Sequence, residues 1–182
     1  MIFLIEVELS KQPSLNKNPK ISFVDGYVKY VNESLIPLSK EYRPNFRGYP
    51  FHKLLKLDSR CFFGNTWMIK IAPNTEYQFD VKLTHNEDLF FYLSISKNKT
   101  FDYSNDCVLH YRQSSDSAMK NIIGLELSYI QLIRKIKNDL GVSGFKIIYL
   151  RMKIMRILFL SFLFDKRSPI SALKSPIKIL LA

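Results

Sequence analysis

Between Phe145 and Phe164 the chain holds an apolar run close to the length of a membrane span, interrupted by Lys146, Arg151, Lys153 and Arg156. Each such charge near a bilayer centre costs at least ~2.5 kcal/mol, so the run is not expected to span. It has to fold as a helix whose apolar side lies against something. Two settings satisfy that. The helix can lie in the lipid headgroup plane, continued by Lys166-Arg167, Lys174 and Lys178, or it can pack on the body of the domain. The charge balance bears on the choice. Residues 134–182 carry 11 basic side chains against Asp139 and Asp165 alone, whereas residues 1–133 carry 16 basic and 14 acidic. The formal net charge of +11 is therefore mostly a property of the C-terminal segment. A nucleic-acid domain usually spreads its charge over a folded face, with aromatic rings inside a basic groove. That pattern is missing, so no nucleic-acid partner is expected, whereas an anionic membrane surface is.

With 182 residues, 47% of them hydrophobic and 14% aromatic, the chain can bury one substantial core, which excludes a wholly disordered or collagen-like polymer. Cys61 and Cys107 stand in apolar runs without metal-type Cys/His spacing, so no disulfide framework is legible. The opening Met1-Ile2-Phe3-Leu4-Ile5-Glu6-Val7-Glu8 has acidic residues where a signal peptide needs basic ones. The expected location is cytoplasmic, with both thiols reduced and the sequons at Asn32 and Asn98 silent.

Residues 2–12 read as a short helix. Ile21 to Val31 is rich in Val, Ile, Phe and Tyr and is broken by Asp25-Gly26, which predicts one bent strand or a small hairpin. Pro37 to Pro50 reads as polar and turn-rich, Phe51 to Leu57 as a helix started by Pro50, and Cys61 to Ile71 as a strand entered through Gly64. Asn86 suits a helix cap, with Glu87-Asp88 in the first turn of a helix that is apolar nearly all round and hence buried. Two short strand runs are expected within Phe101–Gln113. A long helix follows Ser114-Ser115-Asp116-Ser117 to about Leu140, its stripe formed by Ile122, Leu125, Tyr129, Leu132, Ile133 and Ile136, before a break at Gly141 and Gly144.

Chemistry concentrates at His85-Asn86-Glu87-Asp88-Leu89-Phe90-Phe91, where two carboxylates head a buried helix. A carboxylate held on a rigid element can accept the proton of an attacking hydroxyl. Acidic residues in a first turn are also ordinary helix-end partners, so the pair alone decides nothing. It follows the aromatic stretch Cys61-Phe62-Phe63-Gly64-Asn65-Thr66-Trp67-Met68-Ile69-Lys70 and precedes Val108-Leu109-His110-Tyr111-Arg112. Across roughly Ile21 to Tyr129 this order resembles the C-terminal half of a family 2 glycosyltransferase of the GT-A fold, of the bacterial surface-polysaccharide type.

The resemblance implies that Asp88 is the catalytic base and Glu87 its support. It implies that Asn65, Thr66 and Trp67 bind the acceptor, the indole offering an apolar face to a sugar ring. Arg112 would face the diphosphate of a nucleotide-sugar donor, where its planar fork suits paired oxygens. Each has a structural alternative: core packing for Trp67, an ion pair with Asp106 or Asp116 for Arg112. His110 would approach a metal or serve as a plain strand residue.

The family's complete enzymes hold Mg or Mn with an Asp-x-Asp motif, and this sequence contains none. The resemblance thus implies a chain lacking the donor and metal site, with a missing N-terminal half as a further partner and little or no activity alone. The expected fold is α/β: a partial GT-A-like mixed sheet flanked by helices over residues 1–141, then a basic amphipathic helical tail over 142–182. The expected function is an inverting glycosyltransferase acting on a glycan or lipid-linked acceptor, peripheral on the inner face of the plasma membrane. The alternative is a non-catalytic membrane-surface or polyanion-binding module.

Overall fold

The structure is a computed structural model that describes residues 18–64, 66–71, 75–113, 122–165 and 169–181. The helix expected over residues 2–12 and the start of the one after Ser114 lie outside them. In chain order the elements are β1 (Ile21–Val31), β2 (Pro37–Tyr42), α1 (Phe51–Leu55), β3 (Met68–Ile69), α2 (Glu87–Ser96), β4 (Thr100–Arg112), α3 (Ile122–Asn138), α4 (Phe145–Leu160, running into a wider π turn at Ser161–Asp165) and α5 (Pro169–Leu181). The α/β class is as expected.

They form two compact units. The sheet unit contains the described residues up to Leu54, those of Asp58–Tyr77, and the chain from Ile95 to the end of β4. The helical unit contains Leu55–Leu57, Gln78–Ser94 and the chain from α3 onward. The expected boundary at residue 141 is therefore not where the chain divides: α4 and α5 share a unit with α3 and with most of α2. One side of each is buried there.

β1 is the centre of a four-stranded mixed sheet. It pairs antiparallel with β3 at Phe23 and Val24 and with β2 from Val28 to Val31, and it pairs parallel with β4 along its whole length. A parallel neighbour requires a crossover connection, and α2 lies in that connection. Asp25-Gly26 is neither a hairpin nor a break but an irregularity within one 11-residue strand, with register shifts against β4 between Asp25 and Val28. Glycine is needed there by contact: a Cβ on Gly26 would stand 2.1 Å from Val108 Cγ1 and 2.8 Å from the Asp106 carbonyl oxygen. Thr100–Arg112 forms one strand, not two, because pairing with β1 resumes at Cys107 after polar Ser104-Asn105-Asp106, which stand opposite the single residue Gly26.

Pro37–Tyr42 is a strand where turns were expected; its exposed side chains give no alternation, and main-chain pairing with β1 holds it. The strand expected over Cys61–Ile71 shrinks to Met68–Ile69. Around β1 the core collects Phe23, Val24, Val28, Leu54, Trp67, Phe101 and Leu109. Phe63 adds a cluster with Tyr30, Tyr42 and Tyr111, ring centroids 5.2–5.8 Å apart.

In the helical unit, α3 buries all six residues of its predicted stripe together with Glu126 and Ser128. Gly141 and Gly144 both take positive φ, 66° and 63°, which ends one helix and admits the next. α4 buries Ile147, Leu150, Ile154 and Leu158, spaced three and four apart, and packs against α3 and α5. Among the described residues no helix is long and apolar enough to cross a membrane.

Candidate functional site around Asp88

The chain enters α2 through Asn86, whose φ of 60° is left-handed, a conformation asparagine tolerates better than most residues. Its carbonyl accepts the first helical bond from Phe90 N–H at 3.0 Å. The Asn86 side chain does not cap the helix as expected. Its amide donates instead to Ser128 Oγ on α3 at 3.2 Å, while the Ser128 hydroxyl donates to the His85 carbonyl. This double tie fixes the start of α2 on α3. The segment before it is anchored too: Phe79 stacks on Phe91 at 4.2 Å, and Lys135 of α3 forms an ion pair with Asp80.

Asp88 stands half-buried on this fixed helix start. Its Oδ1 accepts the Leu89 N–H at 2.6 Å. Burial holds the carboxyl above its ordinary pKa, and the neighbouring Glu87 charge adds to the effect, against the lowering by main-chain N–H groups. No lysine, arginine or histidine among the described residues forms an ion pair with it. Tyr129, buried on α3, has its phenol pushed up to about 12 by burial, with the Asp88 charge contributing. Asp88 is thus a desolvated carboxylate with a bound N–H on one oxygen, a rigid base and a phenol nearby. Chemically it suits proton acceptance from a weakly acidic hydroxyl. Tyr129 and Ser128 had no signal in the sequence beyond their place on the buried stripe of α3.

Glu87 opens α2 beside Asp88, whereas Thr66, Trp67, His110 and Arg112 belong to the sheet unit. Asn65 lies outside the described residues. Thr66 is buried. Trp67 is only 7% exposed; its indole N–H donates to the Cys61 carbonyl at 2.9 Å, and its ring packs at 5.1 Å from Phe23 and 4.7 Å from Phe101. The ring is a core element, which corrects the expectation of a sugar-facing indole. His110 sits on β4 opposite Lys29 of β1. Arg112 ends β4 opposite Val31, exposed, and forms no ion pair with Asp106; Asp116 is outside the described residues. A second buried acid, Asp25, was not anticipated: its Oδ1 accepts the Gly26 N–H at 2.7 Å and its Oδ2 the Tyr42 hydroxyl at 3.1 Å. Cys61, held nearby and pushed up to about 12 by burial, is a poor nucleophile.

No three His, Cys, Asp or Glu side chains among the described residues converge to hold a metal ion, and the sequence has no Asp-x-Asp. His110 therefore joins no such group among the described residues. No protein-family model, curated protein or solved structure matches this chain.

Proposed function

We propose that this chain is the acceptor-side portion of an inverting glycosyltransferase in which Asp88 is the catalytic base. The observation that supports the reading is the state of Asp88: a carboxylate desolvated at the start of a rigid helix, raised in pKa, with no cation paired to it among the described residues. A purely structural first-turn carboxylate is ordinarily exposed and favoured in its ionised form. This one is held in surroundings that favour taking up a proton.

In the proposed reaction the acceptor hydroxyl oxygen attacks the anomeric carbon of a nucleotide-sugar from the face opposite the nucleotide. Asp88 accepts the hydroxyl proton as the new C–O bond forms. The bond to the nucleoside diphosphate breaks with its electron pair on the leaving oxygen, and the anomeric centre inverts. Glu87 adds negative charge beside Asp88 and so raises its proton affinity. The sequence has no Asp-x-Asp of the kind that holds Mg or Mn in the enzymes it resembles, so no step is assigned to a metal and the chain alone is expected to turn over little or nothing.

The test is Asp88→Asn in a full-length homologous enzyme carrying the same Glu-Asp motif. Losing a general base lowers turnover by about 100-fold or more while acceptor binding is retained. Unchanged turnover with unchanged acceptor binding would remove Asp88 from the role. On the chain itself, carbon-detected NMR titration should place the Asp88 carboxyl above the ordinary aspartate range.

A further inference from the structure

We infer that α5, with the outer face of α4, is a docking surface for an anionic lipid bilayer. α5 buries Ala172, Ser175 and Ile179 on one side. The opposite side of a helix packed on a water-soluble body is ordinarily polar. Here it presents Ile170, Leu173, Ile177, Leu180 and Leu181, spaced three and four apart, with Leu173 and Ile170 each 68% exposed and Leu181 80%. α4, which packs on α5, repeats the arrangement: Phe145, Ile148, Tyr149 and Met152 lie on one exposed stripe, and Phe145 is 90% exposed. Single exposed apolar residues are normal on any protein; two continuous stripes on adjoining helices of one unit are not.

Charge selects the occupant. Lys174 and Lys178 follow Leu173 and Ile177 by one position each, and so flank the α5 stripe. Lys146 and Arg156 are exposed along α4. Among the described residues Lys146, Arg156 and Lys174 form no ion pair, whereas Lys178 reaches Glu126 Oε2 at 2.7 Å. Side chains of this kind can lay their stems on an apolar surface while their ammonium or guanidinium groups meet lipid phosphates. A helix with an apolar stripe bordered by cations, in a segment with 11 basic and two acidic residues, matches the headgroup boundary of an anionic leaflet. A second copy of the chain would bring the same cations against themselves. The surface is independent of the role assigned to Asp88.

Co-sedimentation of the full chain with phosphatidylcholine vesicles, with and without 30% phosphatidylglycerol, reads the proposal directly. The anionic vesicles should bind the chain more tightly, and binding should weaken as salt rises. Replacing Lys146 and Lys174 together by Gln should weaken binding about thirtyfold at low salt. Replacing Leu173, Ile177 and Leu180 together by Gln should weaken it by about 100-fold or more, with an unchanged circular dichroism spectrum because all three are exposed. Equal binding of the wild-type chain to both vesicles, or no binding to either, overturns the proposal. So does a stable dimer by light scattering that the triple variant abolishes, since the stripes would then be covered by a second copy.

Discussion

The sheet unit and the helical unit meet their polar and apolar demands in different ways. In the sheet unit Asp25 has the Gly26 N–H and the Tyr42 hydroxyl, Asp58 has Arg60 with Lys53 beyond, and Asp102 has Arg47. Its aromatic rings pack on one another around Phe23, Trp67, Phe101 and Phe63. Among the described residues each unit keeps buried polar atoms without a hydrogen-bond partner, Ser104 Oγ in the sheet unit and Glu126 Oε1, Arg151 Nε and Ser175 Oγ in the helical unit, but in the helical unit two apolar stripes also face outward. Buried charged groups are costly when incompletely bonded. The contrast teaches that ring packing closes much of the core of the sheet unit, whereas the helical unit leaves apolar stripes on its exposed surface.

The sharpest challenge to that contrast is Gly26→Ala. Because the added methyl would collide with Val108 and with backbone at Asp106, it should destabilise the chain by about 3 kcal/mol in urea denaturation. A neutral outcome would mean that the β1–β4 pairing is looser than its geometry. Next in size, Tyr42→Phe removes one donor from a fully buried carboxylate and should cost about 2 kcal/mol. If it costs nothing, the sheet unit does not depend on its internal polar pairing.

Asp58→Asn should have a smaller effect that depends on pH. The Arg60 side-chain bonds hold the Asp58 carboxyl down at about 2, below its unfolded value, so its contribution is present above the unfolded pKa and is lost as pH falls through about 2. The variant should cost about 1 kcal/mol near pH 7, less than the shift alone implies because the guanidinium is half in water, and progressively less as pH falls through about 2. Smallest, and opposite in sign, is Asp88→Asn. A carboxyl raised by burial binds protons more readily folded than unfolded, so ionising it subtracts stability as pH rises past its unfolded value. The variant should melt slightly higher than wild type at pH 7 and equally at pH 2, measured by scanning calorimetry. A lower melting point at pH 7 would make Asp88 a structural carboxylate and would count against its role as a poised base.

Local pattern carried far where burial was one-sided. The stripe from Ile122 to Ile136, the Gly141/Gly144 break and the bent strand at Asp25-Gly26 were all legible because a period or a punctuating glycine marks them. Pro37–Tyr42 was not, since an exposed strand held by main-chain bonds needs no apolar alternation. The unity of β4 was not legible either, because its polar middle, Ser104-Asn105-Asp106, interrupts the ladder and only pairing with β1 on both sides of it makes one strand. In the candidate site the position of Glu87-Asp88 at a helix start was readable, but Tyr129 and Ser128 beside it were not: they lie about 40 positions on and meet α2 only because α3 folds against it. The surroundings of Trp67 were equally invisible, because whether an indole faces a ligand or a core depends on Phe23 and Phe101, far away in sequence.

Composition and periodicity by themselves determined that this chain is α/β, that its positive charge gathers at the C-terminal end, and that its most apolar run carries too many cations to cross a bilayer. Those are sums and spacings, and folding cannot alter them. The tertiary structure alone decided that β1 and β4 run parallel, that Trp67 is interior, that Asp88 is half-buried with no ion pair among the described residues, and that α5 turns leucines and isoleucines toward the outside. Each depends on which distant atoms arrive within a few ångströms, and the free energy of burying or exposing a group belongs to that environment rather than to the residue.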